Sequence, residues 1–123
     1  MPTRRSFLTA AAGLAAAIPF ASFAQSVKSG TFVGASGHTS SGGVALSGDT
    51  VSLLDDFRLD RAPDPKVAPG RDGYDPATLM GPRASRRGAS SYALPAGIDA
   101  ADYNEVWIWC EEFNVPLAVA KLS

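Results

Sequence analysis

Apolar residues come along this chain in short runs, parted by glycine, proline and small polar residues. Thr31-Phe32-Val33 lies between Gly30 and Gly34 and predicts a first short strand. Gly43-Val44-Ala45-Leu46-Ser47 alternates, Gly48-Asp49 turns, and Thr50 to Phe57 returns, the pattern of a hairpin. On the return strand Val51, Leu53 and Phe57 fall on one face, and Asp55 interrupts it, which predicts a bulge or a strand end there.

From Arg58 to Gly88 the pattern weakens. Pro63, Pro65, Pro69, Pro76 and Pro82 oppose a central strand, so the stretch reads as a long surface excursion with at most a short strand near Lys66-Val67-Ala68. Strand pattern resumes at Ser90 to Leu94 and stops at Pro95. Asp99 to Tyr103 fits one helical turn, Glu105 to Cys110 is a strand, Glu111 to Asn114 turns, and Val115 to Leu122 is the last strand. Short strands spaced by turns predict an all-β fold, a small antiparallel sandwich or barrel with one long Pro/Gly-rich loop.

The first residues have another character. Thr3-Arg4-Arg5-Ser6-Phe7-Leu8-Thr9 matches the twin-arginine export signal except at Thr9, where lysine is usual. An alanine-rich apolar stretch, broken by Gly13 and Pro19, follows to Phe23. Ser22-Phe23-Ala24 supplies the small residues a signal peptidase reads, so cleavage is expected after Ala24, with a periplasmic or secreted product. The expected domains are a signal peptide, 1–24, and a single β domain, 25–123. Taking 24 residues from 123 leaves 99, enough for one core without staples. The signal also removes two of 11 basic residues against 12 acidic ones, leaving −3. That balance argues against a nucleic-acid binder, and no second apolar span predicts a membrane segment after cleavage. Oligomeric state is not legible.

Composition adds one further fact: Cys110 is the only cysteine. In an oxidising compartment it has no partner within the chain, so it packs inertly, does redox chemistry, holds a cofactor or pairs with another chain. Strand alternation puts Val106, Ile108 and Cys110 on one face, and Glu105, Trp107, Trp109 and Glu111 on the other. Burying two unpaired carboxylates is costly, so the tryptophan face is expected at the surface or against a partner, and Cys110 in the core. Glu111 and Glu112 beside it disfavour a thiolate, and with it nucleophilic catalysis. His38, the only histidine, stands in a Gly/Ser/Thr-rich loop, either bracing it or serving as a ligand. Met80 is expected to tuck under its loop rather than to ligate. Covalent c-type haem attachment is excluded, because it needs two cysteines and a histidine. The aspartates of the long loop lack calcium-loop spacing, no zinc signature is present, and Arg83, Arg86 and Arg87 read as a solvated face or a docking patch for an acidic partner.

Tyr92-x-Leu94-Pro95 followed by Tyr103-x-x-Val106-x-Ile108-Trp109-Cys110-x-x-Phe113-x-Val115 resembles the C-terminal signature of the DM-thirteen domain of Skeletor-like animal proteins and exported bacterial proteins. Gly30-Thr31-Phe32, His38-x-x-Ser41-Gly42, the strands ending at Phe57, and Pro63-Asp64 follow the family order across residues 29–122. Ala62 replaces the glycine of the family's Gly-Pro-Asp. The resemblance implies an extracytoplasmic all-β domain in electron transfer, with a redox protein partner. Its cysteine would act as a free thiol or as the ligand of a cofactor such as haem. By position these roles fall on Cys110, with His38 as a second ligand. The reading opposed to it is a non-catalytic binding or adhesion module in which Cys110 only packs.

Overall fold

The computed structural model describes residues 27–123; the expected signal peptide lies outside them. The described chain is all-β. Strands β1 (Lys28–Gly34), β2 (Ser40–Ser41), β3 (Gly43–Ser47), β4 (Thr50–Leu53), β5 (Arg58–Leu59), β6 (Pro65–Gly70), β7 (Ser90–Ala93), β8 (Glu105–Cys110) and β9 (Val115–Lys121) follow in order. Seven form one antiparallel sheet in the order β6-β8-β9-β1-β3-β4-β7, and β2 pairs with β5 beside it. The sheet curls into a nearly closed barrel around one apolar core.

The hairpin of β3 and β4 follows its alternation: Val44, Leu46, Val51 and Leu53 are buried, and Gly48 turns with φ +61°. β4 stops at Leu53, the Asp55–Asp56 turn follows, and Phe57 returns to the core, its ring edge-on to Phe32 at 5.2 Å. The helical turn after Asp99 is a 3-10 turn, Ala100–Asp102, capped by the Asp99 carboxylate on the Ala101 N–H. In β9 the register slips between Pro116 and Ala118, and this bulge turns both Leu117 and Ala118 inward.

The stretch from Arg58 to Gly88 is more ordered than its prolines predict. Pro65–Gly70 is a full edge strand paired with β8 from Pro65 opposite Cys110 to Gly70 opposite Glu105. Pro65 and Pro69 are four residues apart, so both present their missing N–H on the outer side, where β8 needs no donor. The carbonyls on that side are met by a second segment. Ala84 N–H donates to Pro65 at 2.7 Å, Met80 N–H to Val67 at 2.9 Å, and the buried Thr78 hydroxyl to Pro69. The same segment then crosses to β5, where Leu59 N–H donates to Arg86 and Gly88 N–H to Phe57, both at 2.9 Å. Ser85 N–H reaches the hydroxyl of buried Tyr92 on β7 at 2.8 Å. Residues 78–88 thus bridge the two edges of the sheet and close the barrel wall.

Candidate functional site

Cys110 ends β8 with Pro65 across the ladder on one side and Val115 on the other. Val106, Ile108 and Cys110 all point into the core, as strand phase predicts, and the sulfur-bearing residue is 1% exposed. It carries a free thiol. Met80, 2% exposed, joins the same core cluster rather than facing a site.

His38 is held at the same end of the barrel by a tight turn. Ser36 and Gly37 take φ of +56° and +80°, and His38 N–H closes the turn on Ala35 at 2.9 Å. Gly34 is required beneath it, because a Cβ there would collide with the His38 carbonyl. The imidazole Nδ1 lies 2.8 Å from Asp60 Oδ1, and Asp60 Oδ2 accepts the Thr39 N–H at 2.9 Å. Partial burial would raise the Asp60 carboxyl. The Thr39 N–H and the His38 ring outweigh it and hold the group below the ordinary aspartate range. An ionised carboxylate only accepts, so Nδ1 carries the hydrogen and the neutral ring keeps its lone pair on Nε2.

His38 and Cys110 stand at opposite ends of one strap, residues 60–64. Asp60 holds His38, and the Asp64 carbonyl accepts the Glu111 N–H at 3.2 Å, one residue past Cys110. The strap gives them a common end of the barrel but no shared cavity. An open groove of about 630 Å³ lies over the strap, lined by Arg61, Ala62, Pro63, Pro65, Arg83, Ala84 and Arg86. Neither Cys110 nor His38 lines it. A haem ligated jointly by the two does not fit this arrangement, since one donor is packed in the core and the other is half-exposed on Asp60.

The tryptophan face departs from its expected exposure. Glu105 is buried, 3% exposed, because it is not unpaired: it accepts Gly73 N–H at 2.8 Å and Trp107 Nε1–H at 3.1 Å, and Lys121 Nζ lies 3.2 Å from its other oxygen. Burial would raise its carboxyl, but these donors prevail and hold it below the ordinary glutamate range. Residues 70–75 fold over this face. Tyr74 stacks on Trp109 with centroids 3.6 Å apart and planes 7° apart, and Trp107 meets Trp109 edge-on at 6.1 Å. Burial, then the negative charges of Glu111 and Asp75, push the Tyr74 phenol up. Glu111 remains outside, paired with Lys66, which also approaches Asp64 at 3.6 Å. The Glu111 contact first, against burial, raises the Lys66 ammonium, with Asp64 adding to it.

Arg58 and Arg61 belong to this end of the barrel but do not stand out in the sequence, and Asp60 reads there only as one of the loop aspartates. Asp60 lies 22 residues from His38, and no local spacing links the two.

A family model described as Electron transfer DM13 matches residues 31–122 of the chain. No curated protein and no solved structure matches it.

Proposed function

The chain belongs to the DM13 electron-transfer family, and from that premise we propose an exported electron-transfer domain whose redox group is the Cys110 thiol. The observation that carries this reading is the placement of the only cysteine: fully buried, unpaired, and directly across the ladder from Pro65, which lines an open groove. A sulfur so enclosed is out of reach of a second thiol or a disulfide, whereas an electron needs no contact. Oxidation gives one electron to an oxidised partner protein and, through a local opening that admits water, the thiol proton to that water, leaving a neutral sulfur radical; reduction returns both. Neutral species at both ends of the cycle suit an apolar site, where a net charge would lack solvation.

The test is an anaerobic titration with a one-electron oxidant such as hexachloroiridate, with thiols counted before and after and the absorption spectrum recorded. Wild-type protein should lose one thiol equivalent that a one-electron reductant restores, and should consume one equivalent of oxidant more than Cys110→Ala. Equal oxidant uptake by both proteins sinks the proposal. Full burial of Cys110 also favours a second reading, a binding module in which the cysteine only packs; it predicts no reversible oxidation.

Export by the twin-arginine route belongs to the same proposal and rests on Arg4-Arg5 and the apolar stretch after them. Replacing both arginines by lysine should hold the protein in the cytoplasm with its first 24 residues attached, as fractionation and intact mass would read.

A further inference from the structure

Five arginines form one strip at the Cys110 end of the barrel. Arg58 and Arg87 face each other as a bridge between β5 and the closing segment, and Arg86 stands next to Arg87. Arg61 and Arg83 line the open groove with Arg86, and Arg86 is also shared with a second depression lined by Arg58, Arg87, Ser40 and Ser41. All five are exposed. Among the described residues, Arg83 alone of the five has a carboxylate within ion-pair distance, Asp64 at 3.6 Å.

The charge is lopsided. Strip and strap hold five arginines and two carboxylates, Asp60 and Asp64, a balance of +3. The other described residues hold four basic and ten acidic groups, −6. A domain with an overall excess of acid thus carries one positive strip on its surface. The strip's backbone is pinned on both sides, by Ala84 to β6 and by Arg86 and Gly88 to β5, so its guanidinium groups project from a fixed frame.

We propose that this strip is the docking surface for an acidic patch on a redox partner protein. The partner's trade rests on the electron-transfer reading; the acidic chemistry rests on the strip alone. Planar guanidinium forks pair well with carboxylates. Weak, small, electrostatically steered contacts suit electron-transfer encounters, which must form and release quickly. The strip also runs past Pro65, the cross-strand neighbour of Cys110, so a partner seated there lies over the proposed redox group. A nucleic acid fits less well: no aromatic side chain lines the strip to stack a base, and the acidic remainder of the domain repels a long polyanion. A membrane fits less well because none of the exposed large apolar residues, Val27, Val33, Leu54 and Phe113, lines the strip.

The experiment titrates ¹⁵N-labelled protein with poly-L-glutamate. A single-stranded oligonucleotide of equal charge and phosphatidylglycerol vesicles are run in parallel. Shifts should concentrate at residues 58, 61, 83, 86 and 87, and binding should weaken as salt is raised to screen the charges. The double substitution Arg61→Glu with Arg86→Glu should weaken it by about tenfold or more. Arg71→Glu, an exposed arginine outside the strip, should leave it unchanged. Equal weakening by Arg71→Glu, shifts scattered over the surface, or tighter binding of the oligonucleotide or the vesicles would overturn the proposal. Cys110→Ala should bind poly-L-glutamate like wild type, so an inert thiol would defeat the redox reading while leaving the docking face standing.

Discussion

Pro65 stands directly across the ladder from Cys110, and its carbonyl accepts the Ala84 N–H at 2.7 Å on the opposite side. The thiol's neighbour is thus also the seam at which the closing segment joins the sheet. Packing at Cys110 and closure of the wall are one structural problem.

Substitutions at Cys110 should follow from that. Cys110→Ala removes one buried heavy atom and should cost about 1–2 kcal/mol in urea unfolding. Cys110→Ser keeps the volume better but brings a hydroxyl into a dry core, and should cost about as much or more. A serine variant more stable than the alanine variant would mean that the site holds a polar partner.

Glu105 makes stability pH-dependent. Its carboxyl is held below its ordinary value of 4.5, so the native state favours the charged form. Its contribution is present above that ordinary value and is lost as pH falls through the lowered native one. Urea midpoints should therefore drop on acidification below about pH 4.5. Glu105→Gln should be less stable at neutral pH by about 2 kcal/mol and show a shallower acid limb. Asp60, depressed in the same direction, keeps part of that limb in the variant.

Gly70 lies under the Trp107 indole. A Cβ there would come within 2.7 Å of the ring and 2.5 Å of the Gly73 carbonyl, both part of the cover over Glu105. Gly70→Ala should destabilise by about 1–3 kcal/mol and red-shift the tryptophan emission as that cover lifts. Unchanged emission and stability would show that residues 70–75 do not press on this face.

Asp60 sets the tautomer of His38. In wild type Nδ1 should carry the hydrogen of the neutral ring, as long-range ¹H–¹⁵N correlation can read. Asp60→Ala should release that preference and free the Thr39 N–H, leaving the barrel folded. An unaltered tautomer would mean that the pair does not orient the ring.

The parts legible in the sequence were those with local cause. The β3–β4 hairpin follows from alternation around Gly48-Asp49, and the inward phase of Cys110 follows from period two in β8. The edge strand β6 was obscured because its prolines read as breakers. The informative detail is their spacing, which leaves both on the side that lacks a donor. The cost of an unpaired buried charge predicts a surface position for Glu105. The rule holds, but of its three partners only Trp107 is near in sequence; Gly73 and Lys121 lie 32 and 16 residues away. Arg83, Arg86 and Arg87 form a cluster in the sequence, while Arg58 joins them through its bridge to Arg87 and Arg61 across the open groove.

β1 and β9 pair at the middle of the sheet, from Phe32 with Ala120 to Gly34 with Ala118. A strand near the start of the described chain and the strand last in sequence are therefore neighbours. The hairpin of β3 and β4 is local, but the ladder reaches β8 and β6 from it only through residues 115–121. Loss of β9 splits the ladder of the sheet in two rather than trimming an edge. The walls around the thiol therefore come from strands far apart in sequence, β6 on one side of β8 and β9 on the other.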